Sequence, residues 1–141
     1  MKKTILMMII GVLFLGAGIV YYLYNKPHRN VESEEADILI SSVQLFQNYS
    51  ENEKKADSLY LNRVVRVNGL IRGIEQDQKG ERVLILEAED DIFGVVCSID
   101  ETNVENRKKS QALKAGDSVM LKGICTGFAE DVKLNKCVLQ K

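Results

Sequence analysis

Few side chains in this sequence have the types and spacing that catalysis requires. The three cysteines, Cys97, Cys125 and Cys137, all fall in apolar, strand-like runs, with no CxxC pair and no histidine partner. The one histidine, His28, stands alone in a polar stretch, so no nucleophile–histidine–acid arrangement is available. The sequence also lacks a glycine-rich phosphate loop and an HExxH zinc motif. We therefore predict a protein that is not an enzyme and needs no cofactor or metal.

The cysteines are best explained as small apolar residues, because free cysteine is among the most buried residue types. A disulfide between Cys125 and Cys137 is an alternative if the domain sits in an oxidising compartment. A reactive or metal-binding role is the remaining alternative.

Four acidic residues stand close together in the sequence, namely Glu87, Glu89, Asp90 and Asp91. Carboxylates at a hairpin tip could hold Ca²⁺, but the spacing of these four is not that of an EF-hand loop. A solvated turn explains them better.

Basic side chains offer a second kind of chemistry, because they can hold a phosphate backbone or another ligand. Those on or beside the predicted strands are Arg66, Arg72, Lys79, Arg82 and Lys122. Binding of single-stranded nucleic acid also needs aromatic platforms for the bases. The strand region supplies only Phe93 and Phe128, and Phe93 falls on the apolar side of its strand, where a core role is expected.

The charge balance counts against general nucleic-acid binding. The first 30 residues hold four of the 19 basic residues and none of the 20 acidic ones. Residues 31–141 therefore carry 15 basic and 20 acidic side chains. A domain that binds the phosphates of a nucleic acid normally has more basic than acidic side chains.

The N-terminal stretch Thr4–Tyr24 has 21 residues and no charge. At about 1.5 Å per residue it can cross a hydrocarbon core of about 30 Å. Its tyrosines cluster at the far end, where aromatic rings favour the headgroup level, whereas a cleaved signal peptide would be shorter and end in small residues. We predict an uncleaved single-pass anchor over residues 1–25 and a linker over residues 26–40. The rest of the chain is expected outside the cytoplasm of a bacterial cell.

Two short helices are predicted after the linker. Ser41 or Ser42 can cap the first, whose apolar positions are Val43, Leu45, Phe46 and Tyr49. Ser50 and Glu53 have capping-box spacing, so a second helix is expected from there through Tyr60. The apolar residues of both helices are expected to pack on the domain that follows.

Arg63–Ile74 is predicted to form one long strand. Val65 and Val67 face one way while Arg66 faces the other, which is the period of a half-buried strand. Gly69 is predicted to mark a bulge, because apolar residues after it fall on the side that was polar before it. A strand that bends in this way can belong to two sheets, as the closure of a small barrel requires.

Four more strands and one helix are expected in the order Val83–Leu86, Phe93–Ile99, helix Thr102–Ala115, Val119–Cys125 and Asp131–Leu139, with an irregularity near Asn135-Lys136. The first of these strands is apolar on both faces. This order is that of the OB-fold, a five-stranded Greek-key barrel with a helix between strands 3 and 4. An α+β sandwich could share the order, but the glycine in the long strand favours the barrel. We predict a mainly β (α+β) domain over residues 41–141, in which the helical segment precedes the OB-fold barrel, and a transmembrane helix before the domain.

A set of barrel-forming residues also matches a known family: Asn52-Glu53, Ala56, Tyr60, Val64–Gly69, Val96-Cys97, Leu113–Asp117, Val119–Gly127, Val132–Leu134 and Cys137. Through them the sequence resembles the tRNA-anti-like OB-fold family over roughly Ser41–Leu139. These are small bacterial proteins, many of them exported or membrane-anchored. The resemblance implies an OB-fold and, by analogy with anticodon-binding domains, nucleic-acid binding. It implies no catalytic residues, and fold analogy alone does not establish a function.

The function predicted from the sequence is that of a non-catalytic, membrane-tethered binding module at the bacterial cell envelope. Its ligand is expected to be a protein, peptide, glycan or small molecule, and single-stranded RNA or DNA is the alternative. A purely structural subunit of a membrane complex is a third class. The predicted ligand contacts are Arg66, Arg72, Arg82 and Lys122, and structural roles are assigned to Gly69, Gly73, Gly116, Gly123 and Tyr60.

Overall fold

The computed structural model describes residues 11–12, 14–22, 31, 36, 38–78 and 80–140. Residues 11–12 and 14–22 are helical. Within the described residues, no helix combines the length and the apolar character needed to cross a membrane. Much of the predicted anchor, together with His28 and Lys79, lies outside the described residues.

Five strands close into a barrel after a helical lead-in. The elements are strand β1 (Ile38–Ser41), helices α1 (Ser42–Glu51) and α2 (Glu53–Tyr60), strands β2 (Val64–Gln76), β3 (Arg82–Leu86) and β4 (Val95–Ile99), helix α3 (Val104–Gln111), and strands β5 (Ser118–Ala129) and β6 (Asp131–Leu139). Neighbouring strands follow the order β2–β3–β4–β6–β5, and β5 pairs back with β2. Only β4 and β6 pair in parallel within the barrel. The predicted OB-type barrel, with a helix between its third and fourth strands, is confirmed.

Strand β2 belongs to both sides of the barrel, as its sequence predicted. Its first half, Val64–Leu70, pairs with β5, and its second half, Ile71–Gln76, pairs with β3. The predicted bulge at Gly69 is wrong, however, because the pairing with β5 runs through that residue without a break. The register between β2 and β3 shifts between Ile71 and Gly73. Ile71 itself is still buried on the same face of the strand as Val65.

A glycine is needed at position 69 for a different reason, which is the close approach of helix α1. A Cβ at this position would overlap the Ser42 hydroxyl oxygen and lie 3.0 Å from Ser42 Cβ. Ser42 is buried, and its hydroxyl donates a hydrogen bond of 2.6 Å to the carbonyl oxygen of Glu87. The missing side chain therefore lets the first turn of α1 lie directly on β2.

Strand β1 was missed by the sequence analysis. It pairs in parallel with residues Val65–Asn68 of β2, so the folded domain includes residues 38–40, which were assigned to the linker. The two helices follow as predicted: the Ser41 side chain accepts a hydrogen bond from the amide of Gln44, and that of Asn52 accepts one from the amide of Lys55. Asn52, rather than Ser50, is therefore the cap of α2.

The three cysteines are buried in the core as free thiols. Cys125 Sγ lies 3.3 Å from the hydroxyl oxygen of Tyr49. Cys137 packs over Gly123, where a Cβ would lie 2.6 Å from its Sγ. The structure therefore contains no Cys125–Cys137 disulfide. Burial raises the pKa of both Cys125 and Cys137.

Helix α3 is shorter than predicted and closes one end of the barrel. Its cap is Asn103, whose side chain accepts hydrogen bonds from two backbone amides at the start of the helix. The buried Asn106 amide donates to the carbonyl oxygens of Asp100 (2.8 Å) and Cys137 (3.0 Å), and its oxygen accepts from the amide of Leu139. These bonds join the helix to the ends of β4 and β6.

The irregularity predicted in β6 is confirmed. Lys136 has a φ of 53°, and pairing with β4 passes from Leu134 directly to Cys137. The extra residues return Cys137 to the interior, so both halves of β6 contribute to the core.

Candidate ligand-binding face

OB barrels bind ligands on the outer surface of their second and third strands, between the loop that joins strands 1 and 2 and the loop that joins strands 4 and 5. In this chain those strands are β3 and β4. The loops are residues 77–81 and the turn at Glu130, taken with the strand residues Ala129 and Asp131 on either side of it. Side chains alternate along a strand, and the inward set is fully buried: Leu84, Leu86, Val95, Cys97 and Ile99. The outward set is Val83, Ile85, Val96 and Ser98. We name the surface they form, with its neighbours on β2 and β6, the β3–β4 face.

The strand register sets the composition of the β3–β4 face. One row across four strands is Gly73, Ile85, Val96 and Lys133, and a second row across three strands is Glu75, Val83 and Ser98. Side chains in one row are neighbours on the same side of the sheet. The centre is therefore apolar, with half-buried Ile85 and Val96 beside two small residues, and the charges stand at the margins.

The two flanking loops carry more acidic than basic side chains. The carboxylates are Asp77, Glu81, Glu130 and Asp131, and the one basic residue in these stretches of the sequence is Lys79. Asp131 is fixed by accepting a hydrogen bond of 2.7 Å from the amide of Gly94. A phosphate backbone on this face would meet a net negative charge at both ends, whereas a cationic group would be attracted.

Arg72, a predicted ligand contact, is engaged by the protein itself. Its guanidinium donates to the carbonyl oxygens of Asp90 (3.2 Å), Ile92 (2.7 Å) and Phe93 (3.1 Å). The Asp90 carboxylate accepts hydrogen bonds from the amides of Phe93 and Ile92. These two bonds, with a smaller effect of the Arg72 charge, lower the pKa of Asp90. Arg72 thus fixes the loop between β3 and β4.

The other three predicted contacts lie in two further places. Arg82 starts β3, and its guanidinium donates to the carbonyl oxygen of Leu113, beyond α3. Arg66 and Lys122 stand directly opposite each other on β2 and β5. Lys122 is only 5% exposed. The register therefore brings Arg66 and Lys122 together, but it does not place them with Arg72 or Arg82.

The aromatic side chains near the barrel are buried in its core or packed against it. Phe128 stacks on Tyr49 with ring centroids 5.6 Å apart, and Phe46 meets Phe128 edge to face at 5.9 Å. Phe93 is also packed against the core. Burial and the adjacent Cys125 thiol raise the pKa of Tyr49 far above its ordinary value, so its hydroxyl stays neutral. Neither aromatic considered for base stacking is available on the β3–β4 face.

Ile85 and Val96 were not predicted from the sequence as surface residues. The available signal was the strand Val83–Leu86, which is apolar on both of its faces. A strand of that type is usual in a core that is covered on both sides. Here Ile85 of that strand is only half-buried on the outer side, as is Val96 on β4, whereas Val83 is buried.

The tRNA_anti-like family matches residues 1–139 of the chain. No curated protein matches the sequence. Among solved structures, a proposed nucleic acid-binding lipoprotein from Klebsiella pneumoniae is similar, with 21% sequence identity, a TM-score of 0.55, and coverage of 75% of this chain and 94% of that chain. At this identity the similarity supports the fold alone.

Two further solved structures match the chain at lower scores. The Stn1-ten1 complex of S. pombe has 18% identity and a TM-score of 0.42, with coverage of 55% of this chain and 58% of that chain. A proposed aspartyl-tRNA synthetase from Leishmania major has 12% identity and a TM-score of 0.47, with coverage of 87% of this chain and 25% of that chain. Neither score supports an argument about function.

Proposed function

Since the chain belongs to the tRNA_anti-like family, we propose that it is a non-catalytic OB-fold binding module whose β3–β4 face holds an extended segment of another protein. The observation that carries the proposal is the apolar floor of Ile85 and Val96 between two acidic loops. An apolar side chain of the ligand would lie on that floor, and flanking lysine or arginine side chains would face the carboxylates. The ligand is therefore a basic, partly apolar protein segment.

Other ligand classes fit this surface less well. A glycan buries hydroxyl groups that need hydrogen-bond partners, and Ser98 is the one side-chain hydroxyl on the described outer positions of β3 and β4. Single-stranded nucleic acid needs base-stacking aromatics and positive charge. The face has neither an aromatic side chain nor an excess of basic ones.

The module is proposed to be tethered to the bacterial cytoplasmic membrane by residues 1–25, with residues 26–37 as the linker and the folded domain outside the cytoplasm. The helical residues 14–22 support this proposal, because Phe14, Leu15 and Ile19 expose their apolar side chains. The full chain is expected in the membrane fraction after a carbonate wash, and removal of residues 1–35 should release it. External protease should digest the domain in spheroplasts. A domain protected from that protease would contradict the orientation.

The ligand proposal is tested with a displayed random-peptide library panned on the full chain in detergent micelles. We expect selected peptides to carry an apolar residue flanked by lysine or arginine. Ile85→Asp should weaken the selected peptide at least about tenfold, or about 1.4 kcal/mol, because it places a charge in the apolar contact. Leu59→Asp makes the same change at an exposed position on α2 and is the matched control. Unchanged binding by Ile85→Asp would show that the peptide lies elsewhere.

Single-stranded RNA or DNA is the second candidate ligand. Membership of the tRNA_anti-like family favours it, and its contacts would be the basic residues Arg66, Arg72, Arg82 and Lys122. The test is fluorescence anisotropy of labelled oligo-dT and oligo-U with the full chain over a range of salt concentrations. Micromolar binding that weakens with salt and is lost on changing the three arginines to alanine would replace the protein-segment proposal.

A further inference from the structure

A rigid acidic loop presents one exposed apolar side chain at an end of the barrel. The loop comprises residues 87–94, between β3 and β4. The Arg72 guanidinium donates hydrogen bonds to three carbonyl oxygens at the tip of the loop, and the Asp90 carboxylate accepts hydrogen bonds from two backbone amides of the loop. The base is held as well, because Ser42 donates to the carbonyl oxygen of Glu87 and Gly94 donates to Asp131.

Ile92 stands at the tip of this loop and is 74% exposed. Its neighbours Glu89 and Asp91 are exposed carboxylates. An exposed isoleucine on a mobile loop would lose conformational entropy on binding. In this loop the backbone is already ordered by hydrogen bonds, so a contact at Ile92 has a smaller entropic cost.

A second apolar side chain is exposed on helix α3, which carries three basic side chains and one acidic one. Val104, the first residue of α3, is 54% exposed. Arg107 and Lys108 lie three and four positions later, hence on the same face of the helix, and both are exposed. Neither makes an ion pair within the part of the chain that the structure describes, whereas Lys109 pairs with Glu105 at 2.7 Å.

The two surfaces lie at opposite ends of the parallel strands β4 and β6. Residues 87–94 lead into the start of β4, and Gly94 is bonded to the start of β6. Helix α3 is bonded through Asn106 to the carbonyl oxygens at the far ends of these strands. The loop at one end of the barrel is thus acidic, and helix α3 at the other end has a net positive charge.

We propose that copies of this chain associate head to tail, with Ile92 of one copy against Val104 of the next. Glu89 and Asp91 then face Arg107 and Lys108 of the neighbour. Such a contact is heterologous, so it repeats into a ring or an open row rather than stopping at a symmetric dimer. The contact uses neither Ile85 nor Val96, and it is therefore independent of the ligand proposed for the β3–β4 face.

The test uses engineered cysteines in the full chain in detergent micelles. The native cysteines are buried and do not compete. Ile92→Cys and Val104→Cys variants are mixed and treated with copper–phenanthroline as oxidant, and a disulfide-linked dimer is expected in the mixture at several times the yield of either variant alone. The control mixture pairs Ile92→Cys with Leu59→Cys. Equal yields in the two mixtures, or no dimer in either, would overturn the proposal.

Charge reversal separates a specific contact from chance collision. The Ile92→Cys chain also receives Glu89→Lys and Asp91→Lys, and the Val104→Cys chain receives Arg107→Glu and Lys108→Glu. Each reversed chain should lose most of its crosslinking with an unreversed partner, because like charges then meet. Crosslinking should return when the two reversed chains are mixed with each other. If the two reversed chains together do not restore the dimer, the head-to-tail contact is refuted. The two surfaces would then bind something other than a second copy of this chain.

Discussion

Replacing Gly69 with alanine should destabilise the protein by about 2–6 kcal/mol. The added Cβ would overlap the Ser42 hydroxyl oxygen and would lie 3.0 Å from Ser42 Cβ and 3.5 Å from Leu86 Cβ. The backbone of Gly69 is held by its pairing with Val119 on β5 and cannot easily withdraw. Ser42 must therefore move, and its hydrogen bond of 2.6 Å to the carbonyl oxygen of Glu87 breaks.

Two effects make up this magnitude. Loss of a hydrogen bond that leaves a buried polar group unsatisfied costs about 1–3 kcal/mol. Forcing an extra methyl group into a packed contact costs about 1–3 kcal/mol more. For a domain of this size, each kcal/mol lowers the thermal midpoint by about 4–8 °C. The expected fall is therefore at least about 8 °C.

The assay is thermal unfolding of the full chain followed by circular dichroism, with two comparison variants. Gly73→Ala makes the same change on the same strand, but its Cβ would meet only Ile85 Cδ1 at 3.9 Å. Its stability should stay within about 1 kcal/mol of the wild type. In a Ser42→Ala background, Gly69→Ala should cost at least about 1 kcal/mol less, because the overlapping oxygen is gone. An equal cost in both backgrounds would refute the proposed contact.

Three further predictions concern side chains that join distant segments. Arg72→Met should destabilise the protein by about 1–3 kcal/mol and accelerate hydrogen exchange at the Ile92 and Phe93 amides, since it removes the donor that holds the loop; unchanged exchange there would contradict this role. Asn106→Ala should cost about 2–4 kcal/mol in chemical denaturation, because three backbone groups lose their partner. The raised pKa of Tyr49 favours its neutral form in the folded state. The resulting stability is fully present below the unfolded-state pKa of about 10 and is lost as the pH rises above it. Thermal midpoints between pH 8 and 11 should therefore decline less steeply in Tyr49→Phe than in the wild type, and parallel curves would contradict the assignment.

The barrel could be predicted from the sequence because its signals are local. The alternation in β4 and the helix between β4 and β5 are each visible within about a dozen residues. Gly69 was recognised as a constrained position, but for the wrong reason. The group that requires it is Ser42, which lies far away in the chain and reaches it only through the fold. Strand β1 was missed because four residues that run directly into a helix show no clear period.

The candidate site was less predictable because it depends on partners from distant segments. Arg72 and Arg82 have the charge of ligand contacts, yet their guanidinium groups bind carbonyl oxygens 18 to 31 residues further along the chain. The outward residues Ile85 and Val96 are apolar, and composition alone would assign them to a core. Only the strand register shows that they share one open row on the barrel surface.

The most direct test of the proposed function is amide chemical-shift mapping on the full chain with a selected peptide and, separately, with oligo-dT. We predict that the peptide shifts the amides of Ile85, Val96 and Ser98 most strongly and that the oligonucleotide leaves them unchanged. The opposite result is that the oligonucleotide shifts the amides of Arg66 and Lys122 most strongly and the peptide shifts none. That result would contradict a protein-segment site on the β3–β4 face and would favour single-stranded nucleic acid.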